Sequence, residues 1–298
     1  MRMARLTMAA VAAGLLANCA AAGPAARPAP PLALLDMHTH VMIENITPDE
    51  EVALLRKAGL DRVVLMHTEP EVIAALARKY PGFVIPSLSV ARPTVKGVHL
   101  EADTGPLMAK LRAAHEICAF GEIPGMVFGD NPDLRAVYAA SAATGAPVNI
   151  HTDLAKQENV AALEAAASAN PKARLVLAHL GWTAGPELIG RLLDAHPNLY
   201  TDVSIRFDPV GSLPWRNNGL DLSILTPDGA LQPGWRALIE RHPDRFLFAM
   251  DINSFGPRYQ MMDELVATAR KALAPLPRPI QVAIAHGNAE RLLAGCAR

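Results

Sequence analysis

Leu32-Ala33-Leu34-Leu35-Asp36-Met37-His38-Thr39-His40 is the stretch whose reading decides the fold. Its apolar run predicts a strand over Leu32–His38, and two histidines two residues apart close it. Side chains two apart on a strand point the same way, so His38 and His40 face one end of whatever sheet this strand joins. Asp36 shares that parity and is expected to support the histidines from behind.

Outward from this strand, short apolar runs alternate with amphipathic segments. Pro48–Gly59 reads as a helix with Thr47 as N-cap and Glu50 at the capping-box position. Strands are predicted at Arg62–Met66, Phe83–Val90, Ala119–Ile123, Pro147–His151, Arg174–His179, Leu199–Ile205 and Arg245–Met250. Helices are predicted at Glu69–Tyr80, Gly105–Ile117, Asn131–Thr144, Asn159–Asn170, Pro186–His196, Trp235–His242 and Arg258–Leu273. Such alternation demands parallel strands with helical crossovers. Eight pairs in 298 residues suit an α/β fold closed as a (β/α)8 TIM barrel, which typically needs about 250 residues. An open doubly wound sheet is the alternative, but no glycine-rich dinucleotide fingerprint follows the first strand. Two connections, Ala91–Thr104 and Asp208–Gln232, are long and fall on the strand-to-helix side, where lids and pocket walls are expected.

Other strands repeat the pattern of the first. His151, His179 and Asp251 each close an apolar run, and Glu122 lies near the end of another in Phe120-Gly121-Glu122-Ile123. Burying an ionisable group there costs several kcal/mol unless it is paired or bound to metal. A shared divalent ion explains a ring of imidazoles and carboxylates converging on one point. Such donors, at about 2.0–2.2 Å, suit Zn²⁺ first, with Mn²⁺ and Fe²⁺ compatible.

These residues resemble the amidohydrolase superfamily, and the chain looks closest to its amidohydrolase 2 branch. The matching features are the HxH of the first strand, histidines after the fifth and sixth, and an aspartate after the eighth. The ending His286-Gly287-Asn288-Ala289-Glu290-Arg291-Leu292 resembles the GNAxRL close of the same branch. The resemblance implies a metal-dependent hydrolase in which His38, His40, His151 and Asp251 hold the metal. It implies that His179 contacts substrate or water, and that Asp251 shuttles the proton of the attacking water. Gly121-Glu122-Ile123 resembles the deoxyribonuclease-like branch, where a glutamate bridges two metals. Two ions are therefore the alternative to the single ion that the GNAxRL ending favours. The expected reaction is hydrolysis of an amide, lactone or ester of a small molecule. The alternative is non-oxidative decarboxylation of an aromatic or unsaturated acid, which the same branch also contains.

Around this set, Arg206 follows Asp202 and Ser204 at alternate positions of the seventh predicted strand. It is a candidate anchor for a substrate carboxylate, or else a salt-bridge partner of Asp202 or Asp208. Trp215, Arg216, Asn217 and Asn218 are candidate pocket walls, His67 a loop residue or substrate contact, and His286 and Asn288 structural.

The N-terminus reads apart from the barrel. Arg2 and Arg5 precede an apolar run, Leu6–Ala17, and an Ala/Pro linker follows over residues 20–31, which together predict an export signal over residues 1–19 and a barrel over 32–298. Leu16-Ala17-Asn18-Cys19 resembles a bacterial lipobox apart from Asn18, so a lipidated, membrane-tethered Cys19 and ordinary cleavage after the alanines both stand. Either places the protein outside the cytoplasm, periplasmic or membrane-anchored. Cys118 and Cys296 make no disulfide framework, and Cys118 is expected to be a buried thiol. A net charge of −1 recommends no nucleic acid, leaving a small molecule as the expected partner. Oligomeric state is not written in these features.

Overall fold

A computed structural model describes residues 30–41, 46–89, 92–94, 97–99, 103–123, 132–210, 222–253 and 257–296. The export signal, Cys19 and Trp215–Asn218 lie outside these residues. Met1–Pro31 and Leu32–Arg298 form separate units, and the second holds the barrel.

Eight parallel strands follow one another around the sheet in chain order. They are β1 (Leu35–His40), β2 (Arg62–His67), β3 (Val84–Leu88), β4 (Ala119–Ile123), β5 (Pro147–Ile150), β6 (Arg174–Leu177), β7 (Leu199–Asp202) and β8 (Phe246–Leu247). Bonds from Met37 N to Phe248 O (3.0 Å), Asp251 N to His38 O (2.6 Å) and His40 N to Ile252 O (2.9 Å) join the last strand to the first. The fold is a TIM barrel. Its outer ring is α1 (Pro48–Lys57), α2 (Pro70–Lys79), α3 (Thr104–Ala113), α4 (Pro132–Thr144), α5 (Gln157–Ala169), α6 (Pro186–Ala195), α7 (Pro233–Arg241) and α8 (Met262–Leu273). The predicted Thr47–Glu50 capping box is present at α1. Within the first long connection, Arg92–Thr94 pairs antiparallel with Gly97–His99.

Two apolar clusters divide the side chains by parity. Val63, Leu65, Leu175, Phe246 and Phe248 pack outward under the helices. Val64, Met66, Val176, Leu247 and Ala249 pack inside with Leu35 and Met37. Two bulges interrupt this period-2 rule. Asp36 pairs with Val63 but Thr39 with Leu65, and Phe120 pairs with Val148 but Ile123 with Ile150, so each strand carries one extra residue. An inserted residue shifts the parity of everything after it. The bulges thus turn His38, His40 and Glu122 toward the site. Asp36, expected to share the face of His38, instead accepts from His38 N (2.9 Å), Thr39 Oγ1 (2.6 Å) and Met250 N (3.0 Å), bracing the bulge and pinning it to the β8 segment.

The sixth, seventh and eighth strands end earlier than expected. The seventh strand stops at Asp202, because that carboxylate draws Ser204 N back at 3.1 Å and the chain turns. The sixth stops at Leu177, and His179 and Leu180 adopt positive φ. The ladder of the eighth covers only Phe246–Leu247, since Phe248 N donates to Ile284 O (2.9 Å) near the C-terminus.

The C-terminal helices α9 (Arg278–Val282) and α10 (Asn288–Leu292) close the barrel at the end opposite the histidines. Asn288 Nδ2 donates to Pro243 O (2.9 Å) and Phe246 O (2.7 Å), which gives the asparagine of the GNAxRL ending its structural work. Cys296, just beyond α10, is disulfide-bonded to Cys118 at the foot of β4. This corrects the expectation of a buried thiol. The cysteines are 178 residues apart in sequence, and only the return of the C-terminus beneath the barrel brings their Cα atoms to 5.3 Å.

Two stability predictions follow from burial and cross-linking. Reducing the protein, or replacing Cys296 with Ser, should lower stability by about 2–5 kcal/mol, read as an earlier thermal midpoint. Glu51 in α1 is 1% exposed with one carboxylate oxygen lacking any partner, and burial pushes its carboxyl up to about 8. The folded state therefore holds a proton that the unfolded state releases, so stability should fall as pH rises from about 4.5 to about 8. Glu51→Gln should flatten that slope and be the more stable protein at pH 8 by on the order of 3 kcal/mol in denaturant titrations.

Candidate metal centre

Glu122 stands at the centre of the mouth, its two oxygens facing two pairs of imidazoles. Oε2 lies 3.7 Å from His38 Nε2 and 3.4 Å from His40 Nε2. Oε1 lies 2.7 Å from His151 Nδ1 and 3.3 Å from His179 Nε2. Asp251 Oδ1 closes the first group at 3.7 Å from His38 Nε2 and 3.5 Å from His40 Nε2, and Asn253 Nδ2 holds that oxygen at 2.9 Å. The six predicted residues thus meet in one place. Among the described residues His38, His40 and Asp251 form one group, Glu122, His151 and His179 a second, and His38, His179 and Asp202 a third that links them, with donor atoms in each within 4.8 Å of one another. His151 groups with Glu122 and not with the first three.

The electrostatics favour a cation. His38 and His179 are fully buried, and His40 and Asp251 nearly so. Burial alone would lower the His38 imidazole, but the charge of Glu122, the Asp202 hydrogen bond and the charge of Asp251 together raise it well above its ordinary value. Burial would likewise raise Glu122, yet the charge of His38 and the bond from His151 hold its carboxyl well below the usual range. At His179 burial prevails and lowers the imidazole. The acids thus draw positive charge onto His38 and His151. The nitrogen and oxygen donors fit a divalent ion.

The loops around the centre are held in unusual conformations. His179, Leu180, Trp182, Ile205 and Asp251 all have φ between 50° and 64°. Each costs on the order of 1–3 kcal/mol unless its surroundings enforce it. Trp182 stands against the rings of His151 (centroids 5.2 Å apart) and His179 (5.5 Å), walling the second group from one side.

Arg206 pairs with neither Asp202 nor Asp208. Its Nη1 donates to Trp182 O and its Nη2 to Ala184 O (3.3 Å), with the guanidinium over the Trp235 ring at 5.1 Å. Asp208 pairs with the buried Arg258, and Asp202 turns to the histidines. The residue reaches neither acid because the chain stops being a strand at Asp202. Its buried guanidinium, lowered to about 10 by desolvation, secures the Trp182 loop. His67 Nδ1 accepts from Glu69 N (3.0 Å), the contact of a turn residue.

Sequence reasoning missed Asp202, Ser204, Asn149 and Trp182. Asp202 carried the same signal as its neighbours, an acid closing the apolar run Leu199-Tyr200-Thr201, and it is completely buried. Gly121 is required where β4 crosses β5, since a Cβ there would lie 2.5 Å from Asn149 O at a φ of +111°. Gly121→Ala should push Glu122 off its bulge, costing on the order of 2–3 kcal/mol and sharply lowering the bound metal per chain. Thermal unfolding and elemental analysis read both effects.

Comparison with known proteins agrees with this architecture. Residues 21–294 match the amidohydrolase family. Among solved structures, the barrel is similar to an amidohydrolase from Burkholderia multivorans with bound zinc, at 17% identity and a TM-score of 0.60 over 88% of this chain and 99% of that one. It is similar to a probable 2-pyrone-4,6-dicarboxylic acid hydrolase from Acinetobacter baumannii, at 12% identity and a TM-score of 0.56 over 87% and 98%. An uncharacterized TIM-barrel protein from Bordetella bronchiseptica is similar at 18% identity and a TM-score of 0.59 over 90% and 100%. No curated protein matches the chain.

Proposed function

The chain belongs to the amidohydrolase family, and from that premise we propose that it is a metal-dependent hydrolase cleaving an amide, lactone or ester of a small molecule. The observation that carries this reading is the Glu122 carboxylate between His38 and His40 on one side and His151 and His179 on the other. Such an arrangement favours two divalent ions over one, with Glu122 shared between them. His38, His40 and Asp251 would hold the first, and His151 and His179 the second. Zinc suits this donor set. A bound divalent ion supplies Lewis acidity, polarising a carbonyl and bringing water's pKa near neutrality.

The remaining work falls to the chain's own residues. Asp251 takes the proton from the attacking water and returns it to the leaving group, and Asn253 holds the carboxylate in the orientation this needs. In this reading His179 belongs to the ligand set, since its Nε2 faces Glu122, and substrate lies outside it. Trp182 presents an apolar wall beside His151, which excludes water from one side of the reacting carbon.

Export joins the proposal. The positive, apolar and Ala/Pro segments at the N-terminus support it, and the Cys118–Cys296 disulfide fits an oxidising compartment. None of the helices among the described residues is long and apolar enough to cross a membrane, and the lipobox-like Leu16–Cys19 is the candidate tether.

Metal analysis of the purified protein, joined to a screen of lactones, amides, esters and aryl carboxylic acids, tests the reading. Hydrolysis should disappear with a chelator and return with a divalent ion. Asp251→Asn should lose about 10²–10⁴ in kcat while remaining folded. Release of carbon dioxide from an aryl acid without hydrolysis of any ester or amide would replace this reading with a decarboxylase.

A further inference from the structure

We infer that Asp202, directly and through Ser204, fixes the ring tautomers of His38 and His179 together, so that one buried carboxylate orients both halves of the centre. The binding consequences rest on the two-ion reading above, whereas the tautomers do not.

The argument is a count of protons. Asp202 ends β7 with no exposure to solvent. Its Oδ2 accepts from Asn149 Nδ2 at 2.8 Å and lies 3.2 Å from His38 Nδ1. Its Oδ1 accepts from His179 N (3.0 Å), Ser204 N (3.1 Å) and Ser204 Oγ. Four other donors thus converge on its two oxygens, the pattern of an ionised carboxylate that can only accept. His38 Nδ1 must therefore donate. On the neutral ring that leaves Nε2 bare, and Nε2 is the atom 3.0 Å from His40 Nε2 and turned toward Glu122 and Asp251.

The second branch follows the same logic. Ser204 has a single hydroxyl proton, and Asp202 Oδ1 takes it. The Ser204 oxygen, 2.8 Å from His179 Nδ1, can then only accept, so His179 also carries its proton on Nδ1. Its bare Nε2 faces Glu122 Oε1. The turn that ends β7 early is what makes this possible, because a continued strand would have carried Ser204 away from Asp202. Asp202 and Ser204 are thus positioning residues, acting through the rings they touch. Carboxylate partners of this kind orient metal-binding histidines and typically change affinity by about 10–100-fold.

The two branches can be separated. In metal-free full-length protein with ¹⁵N-labelled histidine rings, long-range ¹H–¹⁵N spectra should show His38 and His179 protonated on Nδ1. Ser204→Ala should alter His179 alone, Ser204→Thr should preserve it, and Asp202→Asn should alter both rings. Zinc titration should show Ser204→Ala weakening one of two ions by about 10–100-fold and sparing the other. If Asp202→Asn does not fold, the two Ser204 variants decide the matter. A wild-type spectrum with either ring bare at Nδ1, or a His179 signal unmoved by Ser204→Ala, would overturn the inference. A wild-type protein binding one zinc would refute the two-ion reading, and the tautomer spectra would still decide this one.

Discussion

Seven ionisable side chains, five of them buried and Glu122 and His151 partly so, meet at one end of an apolar barrel, and everything else at that end answers to their need for partners. Four imidazoles and three carboxylates cannot be stripped of water singly without costs of several kcal/mol each. Together they neutralise one another. Glu122 stands between the imidazoles, Asp251 closes one side, and Asp202 lies behind two of the rings. Their nitrogen and oxygen donors also suit a divalent ion, which is the physical basis of the proposed metal.

Precision at this end is obtained by bending ordinary elements. Two bulges turn β1 and β4, and positive-φ residues follow β6, β7 and β8. The supports are correspondingly dense. Asp36 braces the first bulge, Arg206 holds the Trp182 loop, and Arg258 reaches both Asp208 and the carbonyl of Met250. Several buried charges that look functional by composition are therefore scaffolding for those that are proposed to act.

The opposite end of the barrel is built for permanence. Leu292 and Leu293 enter the interior cluster, Asn288 bonds the loop and strand above it, and the disulfide fastens the chain's end to β4. A TIM barrel commonly divides its labour this way, with stability at one face and chemistry at the other. Here the residues of the GNAxRL ending belong to the first task.

Alternating apolar runs determined the eight-fold βα order, because parallel strands need crossovers and helices must bury a stripe. The residues that gather at the mouth were legible too, since an imidazole or acid closing an apolar run needs a partner wherever it folds. Asp202 obeyed that rule and was passed over only because an adjacent arginine offered a simpler pairing. Tertiary structure alone decided which group each ligand joins, which way Asp36 and Arg206 turn, and that Cys118 meets Cys296. Those outcomes depend on bulges, positive-φ turns and chain closure. Each shifts a side chain by one parity step or brings together residues far apart in sequence, and no local pattern of residues encodes either.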